Sequence, residues 1–340
     1  MAFLTHKTRS IPTHSQLKNR ILTVQADNFE AVTLEVFHYQ AEHNGLYAHF
    51  LDLLGRSPAS VQSVADIPFL PISFFKNYDI QSGQDWTAEA IFSSSGTTGQ
   101  TTSRHFVRST DWYDQICLQA FAHFYGPVEQ FAILALLPSY LERSDSSLVH
   151  MADQFIRQSK HSQSGFFLYN TGELREVLAD CRRKDIPCIL LGVSFALLDL
   201  AEENIRLPEE VVVMETGGMK GRRKEIIREE LHKLLTKGFG QTHIHSEYGM
   251  TELLSQAYSK GKGIFHCPPS MRVLSRELGD PLSLEKPGRT GVLNIIDLAN
   301  IDSCSFLATD DLGRVHEDGS FEVLGRLDNS DVRGCNLMVW

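Results

Sequence analysis

The run Ser93-Ser94-Ser95-Gly96-Thr97-Thr98-Gly99-Gln100-Thr101-Thr102 is where residue type and spacing first suggest chemistry. Gly96 and Gly99 permit backbone angles that other residues resist. Several N–H groups can then converge on one anion, and the hydroxyls of Ser94, Ser95, Thr97, Thr98 and Thr101 add donors. This is a candidate phosphate cradle, although the Gly-Lys-Ser/Thr ending of a P-loop is absent. A solvated linker would have the same composition. A second stretch, Ser246-Glu247-Tyr248-Gly249-Met250-Thr251-Glu252, follows the extended piece Thr242–His245. At the carboxyl end of a sheet strand such a loop borders the usual ligand crevice. Thr251 and Glu252 offer the hard oxygens that Mg²⁺ takes alongside substrate phosphates, and Tyr248 offers a ring to a base. The alternative is a surface turn with one solvated glutamate.

Two further stretches lie downstream. In Phe306-Leu307-Ala308-Thr309-Asp310-Asp311-Leu312-Gly313, adjacent carboxylates after a strand suit a ribose diol or a metal. Asp and Gly are equally the residues of a hairpin turn. In Leu324-Gly325-Arg326-Leu327-Asp328, Arg326 presents a rigid fork of donors to phosphate or ribose oxygens. A surface salt bridge would use it as well.

These stretches need elements to hold them. Ile91-Phe92 and His105-Phe106-Val107 flank the first, which predicts strand, tight loop, strand. Residues 27–55 show roughly helical apolar spacing up to a stop at Gly55, and Pro68 and Pro71 then forbid a long helix. An amphipathic helix is expected over 109–125, capped by Ser109 or Thr110. The apolar run 131–137 suits a strand buried on both faces. Helices over 147–158, 172–183, 195–203 and 222–236 alternate with strands over 166–169, 188–193 and 211–214, the last running into Glu215-Thr216-Gly217-Gly218. This alternation predicts an α/β core with a largely parallel sheet over 1–262. From Gly263 short strand-like pieces (271–274, 291–296, 305–309, 321–324) predict a small antiparallel sheet or barrel over 263–324, packed on that core.

Bulk properties narrow the function. A net charge of −10 argues against a general nucleic-acid surface, and 42% hydrophobic residues can bury a real core. The six cysteines are scattered without a CxxC pair, which fits free thiols in a reducing cytoplasm. The start lacks a signal peptide's apolar core, and no apolar run reaches the ~20 residues of a membrane span. His243 and His245 alternate on one strand face without an evident third ligand, which disfavours zinc.

In order and spacing, the four stretches resemble the motifs of the adenylate-forming superfamily, the acyl-CoA synthetases and their relatives. Ser94-Ser95-Gly96-Thr97-Thr98-Gly99 is similar to its phosphate loop, and Tyr248-Gly249-Met250-Thr251-Glu252 to its adenine and magnesium motif. Thr309-Asp310-Asp311-Leu312-Gly313 resembles Thr-Gly-Asp-Leu-Gly, so Asp311 takes the ribose-binding place. Gly325-Arg326-Leu327-Asp328 matches the Gly-Arg-x-Asp hinge. Thr216-Gly217-Gly218 sits where the family has its adenine-contacting turn. The resemblance implies MgATP as cofactor and a carboxylic acid substrate, with Glu252 on the metal, Thr251 on the α-phosphate and Arg326 bracing the nucleotide. Tyr140, Phe195 and Gly192-Val193-Ser194 are candidate walls of the acyl pocket.

Two departures stand out. The lysine after the phosphate loop is missing, with Arg104 the nearest cation, and residues 325–340 hold only a hinge remnant and tail, without the family's mobile C-terminal domain. Pro68–Lys76 and Arg333-Gly334 with Asn336 are similar to phenylacetate–CoA ligases. The shorter acyl-protein synthetases of the LuxE type fit better. They activate a fatty acid, load it on a cysteine of their own near the C-terminus and hand it to a partner acyl reductase. That resemblance implies Cys335 as the thiol nucleophile, with Arg333 beside it to lower its pKa. Delivery to CoA or a carrier protein, with the missing domain on another chain, remains open. So does a non-catalytic nucleotide-binding subunit.

Overall fold

A continuous apolar run can be buried only if both of its faces are covered. In the computed structural model, which describes residues 11–94, 101–138, 145–168, 170–218, 223 and 226–327, the run Ala132–Leu136 lies inside a six-stranded sheet with every side chain buried. The chain begins with α1 (His14–Leu22), α2 (Phe29–His43), α3 (Gly45–Leu53), β1 (Leu70–Pro71) and α4 (Phe74–Asn77). A hairpin of β2 (Ala90–Ser93) and β3 (Arg104–Val107) leads into α5 (Thr110–Tyr125). Strand and helix then alternate through β4 (Ala132–Leu136), α6 (Ser147–Gln158), β5 (Gly165–Phe167), α7 (Thr171–Arg183), β6 (Cys188–Val193), α8 (Ser194–Glu202), β7 (Val212–Thr216), α9 (Arg228–Phe239) and β8 (His245–Tyr248). Six strands follow: β9 (Ala257–Ser259), β10 (Ile264–Phe265), β11 (Met271–Arg276), β12 (Thr290–Asp297), β13 (Phe306–Val315) and β14 (Phe321–Arg326).

The first sheet has the order β5-β4-β6-β7-β8-β9, parallel from β5 to β8 with β9 antiparallel at the edge. Parallel strands put their carboxyl ends on one side, so the segments after β6, β7 and β8 all open at the same edge. The second sheet has the order β10-β14-β13-β12-β11, all antiparallel, and β1 joins β13 in parallel through Leu70↔Leu307 and Pro71↔Ala308. This is the mixed α/β architecture that the sequence predicts.

The amino-terminal helices are fixed to the second sheet by polar contacts. Buried Gln40 on α2 donates to the carbonyls of Asn300, Ile301 and Ser303 at 2.9, 3.2 and 3.2 Å and accepts from Ser305 N at 2.9 Å. Asp302 takes His14 at 2.7 Å, Lys18 at 3.1 Å and Arg108 at 3.3 Å. One apolar cluster runs from Leu17 to Phe321. No helix among the described residues is long and apolar enough to cross a membrane.

Several expectations are corrected. The single helix over 27–55 is two helices, because the Asn44 side chain accepts from Tyr47 N at 2.9 Å and starts a new one. Helix α1, absent from the expectation, is opened by a capping box between Thr13 and Gln16. The charged helix expected over 222–236 starts at Arg228 and ends at Phe239, where Gly240 at φ +73° supplies the left-handed cap. Ser246-Glu247-Tyr248 lies within β8 rather than in a loop after it. Thr309–Gly313 is the middle of the ten-residue strand β13, bulged between Leu312 and Gly313, and not a hairpin turn.

Candidate functional site

The β2–β3 hairpin carries Ser94 and Ser103 at the two ends of the hydroxyl-rich stretch. Ser94 N donates to Ser103 O at 3.1 Å, and Ser103 N donates to Ser94 Oγ at 2.9 Å, which closes the base of the loop. Ser95, Gly96, Thr97, Thr98 and Gly99 lie outside the described residues, as do Tyr140, Arg333 and Cys335. Arg104, the nearest cation in sequence, pairs with Asp79 at 2.6 Å. One position on, His105 Nδ1 donates to Thr251 O at 2.8 Å, and Asn300 Nδ2 donates to Glu252 O at 2.8 Å. The Thr251-Glu252 backbone is therefore clamped from both sides. Burial holds His105 neutral down to about 4, with the Thr251 carbonyl opposing that shift.

Glu252 is 7% exposed, and burial raises its carboxyl above the usual range against the opposing pull of Ser103, Arg326 and Lys76. A buried carboxylate in that condition gains from a cation placed on it. Among the described residues no group of three His, Cys, Asp or Glu side chains could hold a metal. A single buried carboxylate such as Glu252 matches the few protein ligands that Mg²⁺ takes when a ligand's oxygens complete its shell.

The second sheet supplies the next part. Asp311 and Arg326 are cross-strand neighbours on β13 and β14, and Arg326 Nε donates to Asp311 Oδ1 at 3.0 Å. Tyr248 Oη, from the end of β8, donates to Asp311 Oδ2 at 2.7 Å. Asp311 is 6% exposed while the Arg326 side chain is 75% exposed, so a buried acid is aimed by a tyrosine and capped by a solvent-exposed cation. The Tyr248 ring packs at 5.8 Å against Phe265 and edge-on at 5.4 Å against Phe321. In this arrangement the chain's own aromatics cover the ring, and the hydroxyl does the positioning. A Cβ on Gly249 would meet the Glu247 carboxylate, which would have to move to admit it.

Thr216 ends β7, and its hydroxyl donates to Glu247 on β8. Gly217 turns at φ +67°, its carbonyl taking the Ser194 hydroxyl at 3.2 Å, and Gly218 follows. Sequence reasoning missed the groups behind this turn. Glu215, 1% exposed, accepts from Arg228 Nε at 2.9 Å, with His232 at 3.5 Å and the Ser194 hydroxyl at 3.3 Å. Burial pushes Glu215 up, but Arg228 and His232 outweigh it and hold the carboxyl down at about 2. Arg228 Nη1 also donates to Val323 O at 3.1 Å, which ties the turn to the strand carrying Arg326. The available signal was a glutamate inside an otherwise apolar strand, Val212–Thr216, which cannot be buried without a partner.

No protein-family model and no curated protein matches the sequence. Solved structures do match. 2-Hydroxyisobutyryl-CoA ligase in complex with 2-HIB-AMP and CoA is similar at a TM-score of 0.66 and 13% identity, over 94% of this chain and 73% of that one. ATP-bound MatB from Rhodopseudomonas palustris gives 0.54 at 15% identity, over 72% and 50%. The o-succinylbenzoate CoA synthetase MenE from Bacillus subtilis, bound to a product analogue, gives 0.51 at 20% identity, over 72% and 50%. The matched region spans about half the length of MatB and MenE. Over the matched residues the chain shares the fold of these three structures.

Proposed function

We propose that this protein uses MgATP to convert a carboxylic acid into an acyl adenylate. The observation that carries the reading is the Tyr248–Asp311–Arg326 contact beside buried Glu252, at the carboxyl edge of the parallel sheet. A substrate carboxylate oxygen attacks the α-phosphorus of ATP, the bond to the β-phosphate breaks, and pyrophosphate leaves. The protein's task is positioning and charge neutralisation. Ser94 and the loop 95–99 hold the terminal phosphates. Thr251 donates to the α-phosphate. Asp311 takes the ribose hydroxyls, and Arg326 braces the phosphate–ribose link. The turn Thr216-Gly217-Gly218 and Tyr248-Gly249 border the base. Glu252 would hold Mg²⁺, which would supply positive charge beside the phosphates.

We assign the second half-reaction to Cys335. Its thiolate attacks the acyl carbonyl, AMP leaves, and a thioester remains on the protein for handover to an acyl reductase or carrier. This assignment rests on resemblance and sequence position, as does the fatty nature of the acid.

Intact-protein mass after incubation with MgATP and a panel of fatty and aryl acids tests both halves. A hydroxylamine-labile acyl adduct on the wild type and not on Cys335→Ser supports the full reading. Acid-dependent pyrophosphate exchange that survives Cys335→Ser supports the first half separately. Pyrophosphate release that needs CoA, without an adduct, replaces the acceptor by CoA. MgATP binding without exchange for any acid overturns the adenylation itself.

A further inference from the structure

A cavity of about 460 Å³ lies at the amino-terminal end of β8, opposite the edge where Thr251 and Glu252 sit. Phe124, Tyr258 and Ile264 form its apolar walls. Its rim is basic, with Lys260 and Lys262 on one turn and His243 and His266 beside them, and no carboxylate is among the lining residues. In a chain of net charge −10 such a concentration of nitrogen bases is unusual. Among the described residues neither lysine has an ion-pair partner. Lys260 Nζ instead lies 5.4 Å from the Tyr125 ring centroid.

The turn itself points to a use for the second lysine. Lys262 stands at φ +60° between Gly261 at φ +150° and Gly263 at φ +68°. Glycine or asparagine would serve that backbone with less strain, so the lysine is there for its side chain. The field behind the wall is positive as well. His245 is held neutral down to about 4 by burial first, and then by Lys260, His243 and His232. Tyr258, 1% exposed, has a hydroxyl without a hydrogen-bond partner among the described residues.

We propose that this cavity binds an amphipathic anion, with its apolar body against Phe124, Tyr258 and Ile264 and a carboxylate or phosphate head between Lys260 and Lys262. Its volume is that of an ordinary small-molecule site. The site is separate from the one assigned to ATP and stands or falls without it.

Isothermal titration of the full chain with decanoate, decyl phosphate and decanol tests this. Decanol lacks the charge, and the two anions separate the head groups. At least one anion should bind saturably, at least about tenfold more tightly than decanol, and lose about tenfold or more in Lys260→Glu/Lys262→Glu. Lys262→Gly should weaken it in the same direction while relaxing the turn, so a loss of binding there cannot be a loss of folding. Glu252→Ala should leave this binding unchanged. No saturable anion binding to the wild type, equal binding of decanol, or unchanged affinity in the double variant overturns the proposal. Anion binding lost in Glu252→Ala but kept in the lysine variants would place the ligand in the other site and also overturn it.

Discussion

Glu252 is a carboxylate whose burial raises its pKa, so its charged form costs the fold something that its chemistry requires. Glu252→Gln keeps the shape and removes that charge. The variant should melt higher than wild type, while acid-dependent pyrophosphate exchange falls by about a hundredfold or more. Scanning calorimetry beside the exchange assay reads both. Each carboxylate oxygen of Asp311 already has a donor. Tyr248→Phe leaves Asp311 Oδ2 buried without its donor, and chemical denaturation should show a loss of ~1–3 kcal/mol. At this scale Thr251, Glu252, Asp311 and Arg326 were legible as candidates, because their residue types suit phosphate, metal and ribose. His105, Asn300 and Glu247 did not, since each acts on a residue far away in sequence and carries no local pattern.

Elements of regular composition could be read directly. The run at β4 and the capped helix α5 follow from single stretches, and Ser109 does accept from Trp112 N as a cap at 3.3 Å. The break between α2 and α3 could not, since Asn44 also bonds Ser82 and Ser303 from distant parts of the chain. The antiparallel strand β13 hid Asp311 within a pattern that a turn would also have. The coupling of elements gives a sharper prediction. Arg228 on α9 joins Glu215 on β7 to Val323 on β14. Arg228→Met strands a buried carboxylate and should cost ~3–5 kcal/mol, most of it recovered in Glu215→Gln/Arg228→Met. A double-mutant cycle by urea denaturation measures this. No recovery in the double variant would show that the ion pair does not carry the coupling.

For the molecule as a whole, acid is the expected weakness. His105 and His245 are held neutral down to about 4, below the value near 6.5 of an unfolded chain. Their stabilising contribution is complete above pH 6.5 and is lost as pH falls from there toward 4. Glu215, held at about 2, adds a loss between 4.5 and 2. His105 is 1% exposed, so its share alone amounts to roughly 3 kcal/mol by pH 4. The melting temperature should therefore fall steadily between pH 7 and 4.5. In His105→Asn, whose amide can still donate to the Thr251 carbonyl, the fall should be shallower, and an unchanged slope would remove His105 as its source.

The clamp of Gln40 on the second sheet has a consequence for the chain as it is made. Its partner Ser305 lies 265 residues downstream. At ribosomal speeds of ~5–20 residues per second, helices α1 to α3 wait roughly 10–50 s with their apolar sides uncovered before that partner is synthesised. The nascent segment carrying α1 to α3 should therefore be a chaperone client, and speeding or slowing translation of the stretch between the two should change the yield of native protein more than any surface substitution in it.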